Sequence, residues 1–235
     1  MKAVLLAAGL GRRLRPITDD KPKCLVEVNK RPLLAYWLDA LVGCGITEVL
    51  INLHYHADKV RTFLKAQSHE LLVRQIFEPR LVGTAGTIRE NAQFFDQNSV
   101  LVAHADNLCL SNLSTFIEAH KSRPRQTVIT MMTFTSQNPK ECGIVELDFD
   151  DVVINFYEKV QNPPGTNANG AVYIFEPSVI EFILARNEVE SDISNDVLPQ
   201  YMGKIFAWPA DGLHIDIGTP DNLRKANLYL TESHS

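Results

Sequence analysis

Positive charge is in short supply in this 235-residue chain: 23 Lys and Arg face 28 Asp and Glu, for a formal net charge of -5. A protein of that sign repels nucleic acid and anionic membrane surfaces, so neither is expected as a partner. Cysteine is scarce as well. Cys24, Cys44, Cys109 and Cys142 are widely spaced and form no C-x-x-C pair. That argues against a zinc knuckle or a disulfide framework and suits a reduced, cytoplasmic protein. No apolar run approaches the ~20 residues of a membrane span. Met1 to Leu10 is apolar and then turns basic, the reverse of a secretory signal. Low-complexity linkers and internal repeats are missing too. With 45% hydrophobic residues, residues 1–235 are expected to form one domain around one substantial core.

What is present is an alternation of short apolar runs and amphipathic segments. Lys2 to Leu6 reads as a buried strand, and Pro32 to Val42 as a helix with proline at its first position and Gly43 and Gly45 at its end. Strands follow at Glu48 to Leu53, Leu71 to Phe77, Ser99 to Ala103 and Thr127 to Thr133. Helices at Asp58 to Ala66, Thr84 to Phe95 and Leu113 to His120 lie between them. The fold expected is α/β, a Rossmann-like three-layer sandwich with a mixed, mostly parallel central sheet. Less regular strand-like runs at Ile144 to Leu147, Val152 to Tyr157, Ala171 to Phe175 and Ile205 to Trp208 would include antiparallel additions. Ligands of such sheets bind beyond the carboxyl ends of the strands. Two loops therefore matter most, Ala7 to Lys23 and His104 to Leu108.

The first loop concentrates charge against the global sign, with Arg12, Arg13, Arg15, Lys21 and Lys23 in one stretch. It runs Leu6-Ala7-Ala8-Gly9-Leu10-Gly11-Arg12-Arg13-Leu14-Arg15-Pro16, with Pro22-Lys23 beyond. Glycines let backbone N–H groups approach phosphate oxygens, and Arg and Lys supply the charge that a polyphosphate requires. The third glycine of a dinucleotide fingerprint is missing, as is the G-K-[ST] ending of a P-loop. By itself the loop supports phosphate binding of some kind.

Leu6 to Thr18 and Pro22 to Leu25 match, position by position, L-A-A-G-x-G-x-R-L-x-P-x-T and P-K-x-L. The chain thereby resembles the sugar-1-phosphate nucleotidyltransferase family, and among its members the compact mannose- or heptose-1-phosphate guanylyltransferases. The resemblance implies a nucleotide-binding N-terminal part and a sugar-binding C-terminal part. Leu6, Ala8, Gly9, Gly11, Arg13 and Lys23 would bind nucleotide, with Arg13 and Lys23 as the catalytic pair. Glu78 to Thr87 looks like the family's E-P-x-L-x-G-T-A-G-T, which implies base and ribose contacts at Gly83, Thr84, Ala85 and Gly86. Thr84 also reads as a helix N-cap. Asp106 stands where the family has N-G-D, with His104 and Ala105 as its neighbours here. Asp216 lies in Leu213 to Pro220, which resembles W-x-D-I-G-T-P. Either aspartate in isolation would read as a turn or helix cap. The resemblance makes them the ligands of Mg2+.

Cys142-Gly143-Ile144-Val145 resembles Y-G-x-V, and Tyr157-Glu158-Lys159-Val160 resembles E-K-P, so Gly143, Glu158 and Lys159 are implied in gripping the sugar and its phosphate. Asn167, Asn169 and Gly170 are read as preceding a strand and resemble the sugar-binding N-x-G, with N-G-A in its place. Asn169 is the candidate contact. His54 and His56 form H-x-H but lack a completing ligand, and are read as loop residues before a helix. His104, beside Asp106, is a candidate for base or sugar contact.

The resemblance implies condensation of a sugar 1-phosphate with a nucleoside triphosphate and release of pyrophosphate, with guanylyl transfer to mannose or heptose 1-phosphate favoured. Alternatives are uridylyl transfer to N-acetylmuramate or glucose 1-phosphate, cytidylyl transfer to phosphocholine, and a non-catalytic subunit that binds a sugar nucleotide. The sequence shows no C-terminal repeat domain. It allows a homo-oligomer without specifying one.

Overall fold

The computed structural model describes residues 1–68 and 70–232. Its strands and helices run in the order β1 (Lys2–Leu6), β2 (Glu27–Val28), β3 (Arg31–Pro32), α1 (Leu33–Gly43), β4 (Glu48–Leu53), α2 (Ala57–Lys65), β5 (Leu72–Phe77), α3 (Thr84–Glu90), β6 (Val100–His104) and β7 (Asn107–Cys109). The second half continues with α4 (Leu113–Ser122), β8 (Ile129–Thr135), β9 (Gly143–Leu147), β10 (Val153–Glu158), β11 (Asn167–Phe175), α5 (Pro177–Ala185), β12 (Ile205–Pro209), β13 (His214–Asp216) and α6 (Pro220–Glu232). Among the described residues no helix is long and apolar enough to cross a membrane.

The chain divides into two units. The first, called the loop unit here, holds Ala3–Leu81, His104–Leu113 and the segment from Gly212 on. Its sheet is parallel: β1 pairs β4 with Val4 opposite Leu50, and β4 pairs β5 with Ile51 opposite Gln75. β1 and β4 are buried almost throughout, whereas β5 is mostly exposed. A second core brings together Leu14, Val26, Leu33, Leu108, Ile217 and Ala226, which come from all three segments of the unit. The expected helix from Pro32 starts one residue later, because Pro32 ends β3 and takes the N-cap position of α1.

The other unit, called the strand unit, holds Met1–Lys2, Val82–Ala103 and Ser114–Asp211. It is organised around the nine-residue β11, which pairs antiparallel with β6, β8 and β9, while β12 lies parallel to β8. The antiparallel additions expected in the second half are therefore concentrated here. Two boundaries differ most from expectation. Asn167 and Asn169 lie inside β11 and not before it. The helix expected over Thr84 to Phe95 ends at Glu90 and is followed by a separate 3-10 turn at Ala92–Phe94. Two helices, α5 and α6, were not anticipated. Each opens on proline, a residue already set for the first helical turn.

A buried polar cluster ties α4 to the entry of α5 within the strand unit. His120 Nδ1 and Thr130 Oγ1 lie 2.8 Å apart, and His120 Nε2 is 2.8 Å from Glu176 Oε1. Arg123 and Ser99 donate to the same Glu176 oxygen at 2.7 and 3.1 Å. Burial first, and the Arg123 charge second, depress His120 to a pKa of about 4 against the opposing pull of Glu176. A base whose folded pKa lies below its unfolded value of about 6.5 contributes stability above pH 6.5 that is lost as the pH falls towards 4. Denaturant titrations at pH 7 and pH 4 should therefore show His120→Gln losing less stability on acidification than wild type, by roughly 3 kcal/mol. Equal losses in the two proteins would show that His120 does not carry this acid sensitivity.

Candidate active site

The loop after β1 is fixed from both sides by the backbone and by buried polar side chains of the loop unit. Ala7 N–H donates to Asn52 Oδ1 at 2.7 Å, Asn52 Nδ2 donates to Glu78 Oε1 at 3.0 Å, and Ala105 N–H donates to the Leu6 carbonyl at 3.0 Å. Leu6, Ala7 and Ala8 are buried. Gly11 has φ 61° and ψ 24°, a conformation that costs a residue with Cβ about 1–2 kcal/mol. A Cβ there would also stand 2.9 Å from Thr18 Cγ2. Thr18 in turn donates its hydroxyl to the Gly11 carbonyl at 2.7 Å. Much of the signature is thus architectural: it sets the 3-10 turn Arg12–Leu14 and drives Leu14 into the core while Arg12 and Arg13 stay out.

Asp106 and Asp216, 110 residues apart in numbering, meet because β7 and β13 pair antiparallel with Asn107 opposite Asp216. Each strand is held by a helix. Trp37 Nε1 on α1 donates to the Asn107 carbonyl at 2.9 Å, and Asn222 Nδ2 on α6 donates to the Asp216 carbonyl at 2.9 Å. α6 starts immediately after Thr219, whose hydroxyl accepts the Asn222 N–H at 3.2 Å in N-cap fashion. D-I-G-T-P is therefore both a carboxylate carrier and a helix start. Its glycine leaves room for that pair of side chains, since a Cβ on Gly218 would lie 2.6 Å from Asp216 Oδ2 and 2.9 Å from Arg13 Nη2 and both ends would have to shift.

Lys23 connects the three segments. Its ammonium lies 2.8 Å from Asp106 Oδ2 and 2.7 Å from Asp216 Oδ1, and its side chain is only 8% exposed. Burial pulls the Lys23 pKa down, but the two carboxylates outweigh it and hold the group above its ordinary value. For Asp106, burial pushes up, while Lys23 and then His104 pull down harder, and the net direction is downward. Both groups are therefore charged at neutral pH. Arg13 reaches Asp216 Oδ2 at 3.4 Å from a side chain that is 61% exposed, a pairing well screened by solvent. Cys24, next to Lys23, has its thiol pushed up to about 12 by burial and by Asp106, and so stays protonated.

Two carboxylates aimed at one cation position are hard oxygen donors of the kind magnesium takes, an ion that binds through one or two carboxylates and fills its shell with water and phosphate. The donor set fits that ion.

In the strand unit, Gly143 on β9 sits opposite Glu158 on β10, and a Cβ at Gly143 would lie 2.5 Å from Glu158 Oε2. The glycine thus makes room for the carboxylate. Glu158 Oε1 is 2.9 Å from Lys159 Nζ, which projects from a left-handed backbone at φ 50° and is 64% exposed. Asn169 is already committed in part: its Oδ1 accepts the Ala171 N–H at 2.9 Å and its Nδ2 donates to the Tyr173 hydroxyl at 2.7 Å. Ala171 stands where the family motif has glycine, and it keeps the left-handed conformation with φ 54°.

The Gly83 to Gly86 stretch is clamped by a segment not singled out from the sequence. Ala85 and Gly86 both direct their N–H groups to the Ser191 carbonyl, at 3.0 and 3.1 Å, and a Cβ on Gly83 would lie 2.3 Å from that oxygen. Gly83, not Thr84, occupies the N-cap position of α3. The Thr84 hydroxyl instead donates to Asp192 Oδ2 at 2.8 Å and accepts the Ile193 N–H at 2.7 Å. Asp192 was legible in principle: Asp192-Ile-Ser-Asn is an N-cap pattern, and its carboxylate accepts the Ser194 and Asn195 N–H groups. His54 and His56 serve structural contacts, to the Glu78 carbonyl and the Asp19 carbonyl respectively.

A family model described as "Nucleotidyl transferase" matches residues 2–233. The mannose-1-phosphate guanylyltransferase catalytic subunit beta of Drosophila pseudoobscura pseudoobscura is 32% identical over 98% of this chain, and the mannose-1-phosphate guanyltransferase of Candida albicans is 29% identical over 98%. The chain spans 62% and 65% of the lengths of those two relatives. Among solved structures, one of a putative glucose-1-phosphate thymidylyltransferase from Bacillus anthracis superposes with a TM-score of 0.87 at 22% identity, covering 97% of this chain and 94% of its own. HddC from Yersinia pseudotuberculosis, solved in complex with GMP-PN, superposes with a TM-score of 0.80 at 25% identity, covering 97% and 99%. The α/β fold is the one these structures share.

The left-handed alanine generates a stability prediction. Ala171→Gly relieves about 1–2 kcal/mol of backbone strain and returns part of it as unfolded-chain entropy. Urea unfolding should show the variant more stable by about 0.5–1 kcal/mol. A less stable variant would mean that Ala171 is not held in this conformation against its preference.

Proposed function

The chain belongs to the nucleotidyl transferase family, and on that premise we propose that it joins a sugar 1-phosphate to a nucleoside triphosphate and releases pyrophosphate. The observation that carries this reading is the Lys23 ammonium shared by Asp106 and Asp216 beside a glycine-arginine loop. The sugar phosphate oxygen is anionic at neutral pH and attacks the α phosphorus in line, so the step needs no general base. What it needs is two polyanions held close together, which is a matter of positioning and charge neutralisation.

Each residue then has a task set by its charge and reach. Asp106 and Asp216 would hold Mg2+, which when bound neutralises oxygens of the reacting phosphates. Leu6, Ala8, Gly9 and Gly11 present the loop backbone to the triphosphate, and Gly83, Thr84, Ala85 and Gly86 meet base and ribose. Arg13, largely exposed, holds the departing β and γ phosphates. Lys23 turns its buried ammonium to the α phosphate. Gly143 and Glu158 receive the sugar, Asn169 offers it one remaining amide N–H, and Lys159 anchors its phosphate. We place the reaction in the cytoplasm. Guanylyl transfer to mannose 1-phosphate is the favoured pairing, supported by relatives named for that activity and by a 25% identical structure holding GMP-PN.

Pyrophosphate release, followed with Mg2+ over four triphosphates and mannose, heptose, glucose and N-acetylmuramate 1-phosphates, tests the reading. Release is expected, highest with GTP. None with any pair would overturn it in favour of a subunit that only binds. Asp106→Asn should fold normally by circular dichroism and lose at least ~100-fold in kcat, the scale of one lost electrostatic contact. Near-normal turnover would rule out its role as metal ligand. Arg13→Ala should raise KM for the triphosphate well above its effect on the sugar phosphate, and an unchanged triphosphate KM would remove Arg13 from the nucleotide.

A further inference from the structure

Three side chains of the strand unit that carry no part of the family signature form a connected set. Asp192 accepts from the Thr84 hydroxyl at 2.8 Å through Oδ2, and through Oδ1 from the N–H groups of Ser194 at 2.9 Å and Asn195 at 3.3 Å. Its own N–H donates to Asp196 Oδ2 at 2.6 Å. The turn so fixed, Ile193–Val197, is a π-helical one, a form that is rare and recurs at functional sites. Ser194 on that turn lies beside the Tyr173 hydroxyl, and Tyr173 is fully buried. The same hydroxyl accepts from Asn169 Nδ2 at 2.7 Å.

A chain of polar contacts therefore runs from Thr84 through Asp192 and Ser194 to Tyr173 and Asn169. Each end is a residue assigned above to one substrate. Asn169 has two amide donors and an oxygen with two acceptor positions. Ala171 takes one acceptor position and Tyr173 one donor, so the direction of the remaining N–H is dictated by the Tyr173 hydroxyl. Thr84 has its hydroxyl both donating to Asp192 and accepting from Ile193, so its orientation is dictated by the turn.

Resting on the functional reading above, we propose that Tyr173 and Asp192 are positioning residues of the transfer reaction. Tyr173 aims Asn169 at the sugar, and Asp192 aims Thr84 at the nucleotide while holding the turn on which Ser194 supports Tyr173. Neither touches a reacting atom. The relay gives each substrate constant its own dependence. Loss of the Tyr173 hydroxyl affects the sugar end alone, loss of the Thr84 hydroxyl affects the nucleotide end alone, and loss of the Asp192 carboxylate affects both.

Steady-state kinetics with both substrates varied test this. Tyr173→Phe, which keeps the ring and its packing, should raise KM for the sugar phosphate about tenfold, the scale of one lost hydrogen bond. Its kcat and triphosphate KM should stay within twofold. Thr84→Val should raise the triphosphate KM alone, and Asp192→Asn both. Ser194→Ala provides a second approach to Tyr173 and should raise the sugar KM by a smaller factor. A sugar KM within twofold of wild type in both Tyr173→Phe and Ser194→Ala overturns the proposal, as does an equal rise of both constants in every variant, the mark of general loosening. A wild type that turns over no pair of substrates overturns the functional reading itself.

Discussion

The constraint on which the loop unit depends is the sharing of one lysine ammonium between two aspartates. Lys23 is nearly buried, and a buried ammonium is tolerated only where charge and hydrogen bonds compensate it. Asp106 and Asp216 supply both. They come from segments far apart in the chain, so this compensation also ties the glycine-rich loop to the β7–β13 ribbon. The surrounding features serve that closure. Trp37 and Asn222 hold the two strands by their carbonyls, Gly218 leaves space for the Asp216 carboxylate, and Gly11 and Thr18 set the turn before Lys23. Lys23 bonds both carboxylates, and the exposed Arg13 guanidinium reaches Asp216 as well.

The strand unit solves a different problem, the display of polar groups on strands whose other residues are core. Glu158 can lie against β9 because Gly143 has no side chain. Asn169 is held inside β11 where the register shifts between Asn169 and Tyr173, a local break in pairing that re-aims a side chain. Ala171 maintains that break at a conformational cost that glycine would not incur. In the first place a side chain, and in the second a ladder position, is given up to orient a polar group.

Legibility in the sequence followed locality. The loop from Leu6 to Lys23 could be read because its chemistry is contiguous: glycines, arginines and a lysine along one connecting segment. Asp106 and Asp216 could be named from their motifs, but their juxtaposition rests on two three-residue strands too short to show any alternation. α6 was not seen because Asp221, Asn222, Arg224, Lys225 and Asn227 interrupt its apolar residues, leaving Leu223, Ala226 and Leu230 as its buried or partly buried stripe. The start signal, Thr219-Pro220, is also the end of the D-I-G-T-P motif and is masked by it. The partners of Tyr173 and Asp192 were invisible for another reason. A tyrosine in a strand reads as core and an aspartate before Ser-Asn reads as a cap. Both readings are correct, and what they omit is the partner that only the fold supplies.

The central claim is that the Lys23, Asp106 and Asp216 cluster is where the α phosphorus changes partners. Its most direct test is the fate of that phosphorus: a triphosphate labelled at the α position, mixed with sugar 1-phosphate and Mg2+ in a single turnover. The account predicts that the label moves into a sugar nucleotide with wild type, and at least ~100-fold more slowly with Asp216→Asn. Label that stays in the triphosphate with wild type, or that moves equally fast with the variant, would contradict it.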